Sequence, residues 1–255
     1  MKLLAIEVQK LFRMASVRFA LAVLLVFPIV WAYAPGIFDV YGFFLVSAYQ
    51  VPALGLLSGM EFLLPLLVAI VSAELLGLEM SNGTLPTILL RPVTRSQWIL
   101  AKLLVAVVYP FVLLAILLLV SLLVGGPLGY GPFVGGTGLG AAGLLGEGTM
   151  LPGAAFAELL RAYVVAGLSL IPVSLLAILL TVVFMNVAGG ALATLAVLII
   201  MQLLVIFPWL EPLLLTTQLN AYSTPEGLVR ALATIAFYGA IFAGLSVFLF
   251  ERKDF

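Results

Sequence analysis

The residue types that usually perform catalysis are scarce in this chain. There is no His and no Cys among the 255 residues, which excludes serine–histidine and cysteine–histidine nucleophiles and the familiar zinc sites. The two aspartates, Asp39 and Asp254, fall outside the apolar runs, so a buried pair of catalytic aspartates is excluded too. A G-x-x-x-x-G-K-[ST] motif is absent from the sequence, so the chain has no phosphate-binding P-loop. These observations predict a protein that is not an enzyme and has no catalytic residue, cofactor or metal site.

One carboxylate borders an apolar run and is a candidate substrate or proton site. Glu61 stands beside Gly59 at the start of the second run. A carboxylate at the centre of a bilayer costs about 3 kcal/mol on insertion scales, so a buried one is usually functional. We favour the alternative, a position at the external mouth. Arg161 can pair with Glu158 at helix spacing, which is the default, or with Glu61 across helices.

Long apolar runs are the elements that would hold these side chains. The sequence is 65% hydrophobic and 9% charged, with a mean hydropathy of +1.33, which excludes a soluble domain. A span needs about 20 mostly apolar residues, and a backbone in lipid must satisfy its own hydrogen bonds, so each run is predicted to be a helix. The fold class is therefore all-α, a polytopic membrane protein in one domain of residues 1–255, with about six spans at 17–34, 60–79, 98–124, 160–184, 188–210 and 228–250.

The distribution of the few charges predicts the orientation. If the first run leaves the cytoplasm, nine of the eleven Lys and Arg residues fall on the cytoplasmic side. This is the bias that the positive-inside rule describes for a protein with both termini in the cytoplasm. Residues 2–16 carry an apolar stripe opposite Lys2, Lys10 and Arg13. They are predicted to form an amphipathic helix in the cytoplasmic interface, with an extension of the first span as the alternative.

The connections between the runs differ in character. Residues 35–59 are apolar but interrupted by Pro and Gly, which favours an external segment that lies on or dips into the bilayer over a seventh span. Residues 125–157 hold 12 of the 24 glycines and are predicted to be a flexible external loop. The G-x-G-x-x-G pattern at 138–143 lies within this loop and lacks the strand and helix that a dinucleotide site needs. Residues 186–190 are predicted to form a tight hairpin on the cytoplasmic side.

The connection between the second and third runs has unusual punctuation. Asn82 and Gly83 can take a left-handed conformation and end the preceding helix. Thr84 is a good N-cap for a new helix, and Pro86 falls in the first turn, where its missing N–H costs little. Pro92 ends that helix because the residue before a proline avoids the helical conformation. The pattern predicts a short helix with an apolar face, held across the cytoplasmic end of two spans.

The third run begins directly after this segment. Thr94 or Ser96 can cap its helix. Trp98 fits the aromatic belt of a membrane interface, and Lys102 is predicted to extend back to the lipid headgroups.

The order of these residues resembles the cytoplasmic loop of ABC transporter permeases of the ABC-2 type. That loop follows the pattern E-x-x-x-G-T-L-x-x-L-L-x-x-P-x-x-R with a Lys several residues on, and here one Ile replaces a Leu. The resemblance covers nearly the whole chain, since the ending 250–255 and the connection 212–220 also match, but only the loop is specific. The matching residues are Glu79, Gly83, Thr84, Leu85, Ile88, Leu89, Pro92, Arg95 and Lys102.

In that family the loop contains the coupling helix, which sits in a cleft of a separate ATPase subunit. The resemblance implies that residues 80–97 are the coupling loop and that Glu79 and Arg95 pair with the partner's surface. The hairpin would be a second, smaller contact through Asn186 and Gly189. The implied ATPase-coupling residues are Glu79, Gly83, Thr84, Leu85, Ile88, Leu89, Arg91, Pro92 and Arg95.

The resemblance also implies the partners and the location. Two copies of an ABC ATPase subunit would hold ATP and Mg²⁺ and act on two permease chains, expected to be a homodimer in the lipid bilayer. The membrane would be the inner membrane of a prokaryotic cell. The net charge of zero gives no reason to expect a nucleic acid partner.

Three functions remain after these exclusions. The leading one is an ATP-driven permease that exports a lipophilic or small substrate, because few polar residues occur in the spans. The alternative is a subunit that transmits force to an extracytoplasmic protein, as in copper-site maturation of nitrous oxide reductase, for which segments 35–59 and 125–157 leave room. An ion-driven secondary transporter is less favoured, since it would usually bury paired charges near the midplane and none is evident.

Overall fold

The structure is a computed structural model that describes residues 2–33, 45–83, 94–134, 139, 143–144, 149–223 and 225–253. These residues are mainly helical, with two 3₁₀ turns (Gly126–Leu128 and Glu211–Leu213) and one pair of short antiparallel strands. The strands are β1 (Phe133–Val134) and β2 (Thr149–Met150). The helices are α1 (Lys2–Leu11), α2 (Ala15–Tyr33), α3 (Gln50–Glu61), α4 (Leu63–Ser81), α5 (Arg95–Gly125), α6 (Pro152–Phe184), α7 (Val187–Leu204), α8 (Leu215–Gln218) and α9 (Leu228–Arg252).

Six helices in the described part of the chain are long and apolar enough to cross a membrane, namely α2, α4, α5, α6, α7 and α9. This confirms the all-α polytopic fold class. The largest difference in bounds is at α6, which begins at Pro152 instead of residue 160. Its 33 residues extend about 50 Å, beyond the roughly 30 Å of a bilayer core. Hydropathy locates the part of a helix that lies in lipid, and α6 continues past that part.

Helix α6 occupies the centre of the bundle. It packs against α4, α5, α7 and α9, and most of its residues are buried. Glycines bring the helix backbones close together. A Cβ at Gly167 of α6 would lie 2.6 Å from Cε1 of Phe111 on α5, and a Cβ at Gly190 of α7 would lie 2.8 Å from Cα of Thr181 on α6. Close packing of this kind is the main source of helix association in lipid.

Helix α3 was not predicted as a helix. Residues 45–59 belong to the predicted external segment, but Gln50–Glu61 form a helix that packs against α2, α4, α5 and α6. Its 12 residues extend about 18 Å, too short for a seventh span. The side chain of Gln50 accepts the backbone N–H groups of Val46 and Ser47 at 2.7 and 3.2 Å, which fixes the entry to the helix. The described part of the segment therefore dips among the helices; residues 35–44 lie outside the description.

The predicted Gly-rich loop lies mostly outside the described residues. Its described part contains the β1–β2 pairing, in which Phe133 is opposite Met150, and this pairing was missed from the sequence. Gly143, the last glycine of the G-x-G-x-x-G pattern, has a φ of +105°, which favours glycine.

Candidate functional site

The ends of the bundle are named here by the chain termini. The terminal end holds α1 and the C-terminus of α9, and the distal end holds α3, α8 and the strands. We call residues 80–97, the predicted coupling loop, the coupling segment. Its described ends, 80–83 and 94–97, lie at the terminal end, where α4 ends at Ser81 and α5 begins at Arg95. Gly83 has a φ of +64°, the predicted left-handed conformation, whereas Asn82 has a φ of −83°. Residues 84–93 lie outside the described residues, so the short helix stays a prediction, together with Thr84, Leu85, Pro86, Ile88, Leu89, Arg91 and Pro92.

The segment ends at the N-terminus of α5. Thr94 Oγ1 accepts the backbone N–H of Gln97 at 3.2 Å, and Gln97 Oε1 accepts the backbone N–H of Thr94 at 3.4 Å. This reciprocal capping box satisfies two donors at the start of the helix. Of the two predicted caps, Thr94 is the one that the structure uses.

Four charged side chains meet where α4, α5 and α1 come together. Lys102 Nζ donates to Glu7 Oε2 and to Glu79 Oε1, both at 2.8 Å. Lys10 Nζ donates to the same Glu79 oxygen at 2.9 Å and to Glu7 Oε1 at 3.2 Å. We call Glu7, Lys10, Glu79 and Lys102 the ion-pair cluster. It joins the end of α4 to helices α1 and α5.

The prediction that Lys102 extends to the headgroups is wrong. Its side chain is 2% exposed and lies 5.0 Å from the centre of the Trp98 ring, which is also buried. An isolated buried ammonium would cost several kcal/mol, but two carboxylates on other helices compensate its charge here. Lys10 is half exposed. Its burial opposes protonation, but Glu79 and Glu7 outweigh this and raise the pKa of Lys10 above its ordinary value.

A second polar contact ties α4 to α2. Ser16 Oγ donates to Glu74 Oε2, in the turns of α4 just before the ion-pair cluster.

The ion-pair cluster shows that the described chain does bury paired charges, which the sequence did not reveal. They lie at the terminal end of the bundle, away from the midplane where an ion-driven transporter would hold them.

Arg95, at the other end of the coupling segment, contacts the C-terminal end of α9. Its Nη1 donates to the carbonyl oxygens of Lys253 at 2.8 Å and Glu251 at 3.3 Å. Lys253 Nζ in turn donates to the carbonyl oxygen of Val183 at 2.8 Å, at the end of α6. Burial lowers the pKa of Lys253. These contacts join the N-terminus of α5 to the C-terminal ends of α6 and α9.

The predicted hairpin lies at the same end of the bundle. Met185 has a φ of +56° and ends α6, and the exposed Asn186 caps α7 by accepting the backbone N–H groups of Ala188 at 2.8 Å and Gly189 at 3.4 Å. A Cβ at Gly77 of α4 would lie 2.6 Å from Cγ2 of Val187. The hairpin therefore packs directly against the last turns of α4, close to Glu79 in the chain.

Glu61 lies at the distal end, as the last residue of α3 and exposed. Phe62 separates α3 from α4 with a φ of −150° and a ψ of −45°, so Glu61 precedes the span instead of lying within it. Burial raises the pKa of Tyr222 in the 219–227 connection, and the nearby Glu61 carboxylate raises it further. Glu61 also lines a cavity of about 350 Å³.

The pairing of Arg161 follows the default prediction. Its Nη2 lies 2.5 Å from Glu158 Oε1, and its Nε donates to Glu158 Oε2 at 2.9 Å. Nη2 also donates to the carbonyl oxygen of Tyr222 at 2.9 Å. The helix-spaced pair is therefore confirmed, and Glu61 is not its acceptor.

Sequence reasoning missed Glu7 and Lys10 as parts of the site. The available signal was the placement of Glu7, which is four residues before Leu11 and therefore shares its apolar stripe. An acidic residue on the apolar side of a helix is costly to bury unless a cation compensates its charge. Lys102, inside an apolar run, was a candidate for that cation, although the sequence favoured a headgroup position for it.

The structure is thus a helical membrane domain. The two described ends of its coupling segment are fixed to several helices at the terminal end. Comparison with protein families agrees with this picture: residues 3–201 match the family model described as ABC-2 family transporter protein. The match covers most of the chain, from α1 into α7, and includes Glu61, the coupling segment and the hairpin. The chain belongs to the ABC-2 transporter family and is a multi-pass membrane permease component of an ABC transporter. No curated protein sequence matches the chain.

Proposed function

We propose that this chain is the transmembrane permease subunit of an ATP-driven exporter of a lipophilic or small substrate. Family membership implies pairing with an ABC ATPase subunit. In this proposal two ATPase copies hold ATP and Mg²⁺ and act on a homodimer of the permease. The termini lie in the cytoplasm, and the membrane is the inner membrane of the cell.

The anchoring of both ends of the coupling segment is the observation that carries this proposal. Before the segment, Glu79 is held by Lys10 and Lys102. At its other end, Arg95 is held by the C-terminal end of α9. A segment fixed at both ends to different helices transmits a displacement to those helices instead of absorbing it. A push by an ATPase on residues 84–93 would thus move α1, α4, α5 and α9 together.

The hairpin supplies a second route for the same displacement. Asn186 is exposed at the terminal end and available to a partner. Because Val187 lies against Gly77, pressure on the hairpin would reach α4 and the ion-pair cluster. This supports Asn186 and Gly189 as the smaller contact with the ATPase.

Five buried hydroxyl groups of the spans support a lipophilic substrate. Each O–H donates to a backbone carbonyl three or four residues earlier in its own helix, so its proton is not offered to a polar pathway. The donors are Ser169, Ser174, Thr181, Thr194 and Ser246, and their acceptors are Ala166, Ile171, Ala177, Gly190 and Phe242.

The alternative of force transmission to an external protein has less support. It relied on room in segments 35–59 and 125–157. Residues 50–59 of the first segment pack against the other helices of the bundle, so this part offers little surface to an external partner. Copurification separates the two functions, since the transmitter requires an external protein in the complex.

The first test is purification of the tagged chain from native membranes in mild detergent, followed by mass spectrometry. We expect a soluble protein with a Walker motif. Its ATP hydrolysis should rise when the permease is added in lipid nanodiscs. Arg95→Glu should abolish most of this stimulation, since the reversed charge would repel the carbonyl oxygens of Glu251 and Lys253 and release that end of the segment.

Arg252→Gln is the matched control, because Arg252 is a cation at the same end that lies over the Phe248 ring, outside the segment. It should keep the stimulation of the wild type. The coupling assignment is wrong if Arg95→Glu binds and stimulates the ATPase as well as the control does. Recovery of the chain without an ATPase, repeated under gentler extraction, would contradict the proposed function as a whole.

A further inference from the structure

A cavity at the distal end is built differently from the rest of the bundle. Its volume is about 350 Å³, and it lies between the α3–α4 junction, the C-terminal half of α7, and α8 with the turn after it. The lining combines one carboxylate and a few amide and hydroxyl groups with apolar walls. Residues that matter for its chemistry are Glu61, Phe62, Leu198, Ile199, Thr216 and Leu219.

The carboxylate in this cavity has no countercharge. Glu61 is exposed, and among the described residues no Lys or Arg nitrogen lies within 4.0 Å of it. Arg161, the cation that the sequence offered, is held by Glu158. A ligand cation would therefore meet the negative charge without displacing an internal partner.

A buried hydroxyl group in the cavity also has no partner. Thr216 is 6% exposed, and its Oγ1 makes no hydrogen bond within the described part of the chain. Leaving a buried polar group unpaired costs about 1–3 kcal/mol. A ligand that brings a polar group or an ordered water to this hydroxyl would recover that cost.

The remaining walls are suited to an apolar body. Leu198, Ile199 and Leu219 line the cavity, and the exposed Phe62 ring stands directly after Glu61. Aromatic faces attract organic cations when the charge lies within about 6 Å of the ring centre. The negative charge of the carboxylate disfavours an anion in this cavity. The aromatic ring and the aliphatic wall disfavour a small hydrated ion, because they cannot replace its water.

We propose that this cavity binds an organic cation with an apolar body, with the positive charge at Glu61 and the body on Leu198, Ile199 and Leu219. This deepens the proposed function, because it names the substrate class of the permease at its external mouth. Binding itself requires no ATP, so it can be measured on the purified full-length chain without the ATPase subunit.

The test uses two probes of the same shape and opposite charge, tetraphenylphosphonium and tetraphenylborate. Binding of each is measured by equilibrium dialysis against the full-length chain in nanodiscs of zwitterionic lipid, with empty nanodiscs subtracted. We expect saturable binding of tetraphenylphosphonium that tetraphenylborate does not displace. Glu61→Gln, which keeps the shape and removes the charge, should weaken binding roughly tenfold, about 1.4 kcal/mol.

Glu226→Gln is the control, since Glu226 is an exposed carboxylate at the same end that does not line the cavity. It should leave the affinity unchanged. Equal affinity of wild type and Glu61→Gln would overturn the proposal, as would saturable binding of tetraphenylborate or no saturable binding of the cation, which a second chain covering the cavity would cause. Loss of ATPase pairing would overturn the proposed function but leave this binding result intact.

Discussion

The two ends of the bundle treat their charges in opposite ways. At the terminal end, two carboxylates and two ammonium groups neutralise each other across three helices, at 2.8–3.2 Å. At the distal end, Glu61 faces an open cavity, and the ion pair found there among the described residues, Glu158 with Arg161, lies within a single helix. The terminal end is therefore built as a joint between helices, and the distal end as an opening.

The difference follows from how far each pair reaches along the chain. Lys102 and Glu7 are 95 residues apart, so their contact holds two separate elements in one arrangement. Arg161 and Glu158 are three residues apart, so their contact supports α6 and fixes little else. A long-range buried pair constrains the fold, whereas a local, partly exposed pair mainly adds to the stability of its own helix.

The largest effect on stability should come from removing the buried cation of the ion-pair cluster. Lys102→Met removes the ammonium and leaves the Glu7 and Glu79 carboxylates close together without its charge. We expect a loss of about 3–5 kcal/mol in the free energy of unfolding, because an uncompensated buried charge remains. The measurement is the thermal unfolding midpoint of the full-length chain in mild detergent, followed by size-exclusion chromatography.

A double variant separates the charge effect from the loss of side-chain packing. Lys102→Met with Glu7→Gln leaves Lys10 and Glu79 as a neutral pair and should recover most of the stability. The charges of the ion-pair cluster do not account for its stabilising effect if the double variant unfolds as easily as the single one. Lys10→Met serves as the exposed comparison, and its effect should be well below that of Lys102→Met.

The membrane-spanning helices could be predicted from the sequence because lipid imposes a simple rule of length and polarity. The caps at Gly83 and Thr94 were also predictable, since each depends on neighbours within a few residues. The position of Glu61 just before the span followed from its place beside an apolar run. In all these cases the cause of the structure is local to the chain or common to every membrane protein.

Helix α3 and the burial of Lys102 could not be predicted in the same way. Hydropathy does not distinguish residues that face lipid from residues that face other helices, so the apolar residues 50–59 were assigned to an external segment. Lys102 was predicted to extend to the headgroups because its partners, Glu7 and Glu79, lie on other helices and could not be identified from the sequence. A contact between distant segments has no signature in a single local window.

A smaller loss of stability should follow from separating the hairpin from the last turns of α4. Gly77→Ala places a Cβ 2.6 Å from Val187 Cγ2 and 3.0 Å from Val187 N, so α4 and the hairpin must move apart. We expect a loss of about 1–3 kcal/mol in stability, together with weaker stimulation of the ATPase. Gly244→Ala is the control, since a Cβ there meets no atom within 4 Å. Equal thermal midpoints for the two variants would mean that the close approach does not constrain the hairpin.

The smallest effect should come from the distal ion pair, which provides a direct comparison between the two ends. Glu158→Gln and Glu7→Gln both replace one paired carboxylate by its amide. The Glu158 side chain is 18% exposed, and Arg161 retains the carbonyl oxygen of Tyr222, so we expect a loss of about 0.5 kcal/mol or less. Glu7 is 3% exposed and lies against the buried Lys102, so its replacement should cost several times more. Thermal midpoints measured at 0.05 and 0.5 M salt check this, because salt screens the more exposed Glu158–Arg161 pair more strongly than the buried Glu7–Lys102 pair. A Glu158→Gln variant as destabilised as Glu7→Gln would show that the distal end is also a joint.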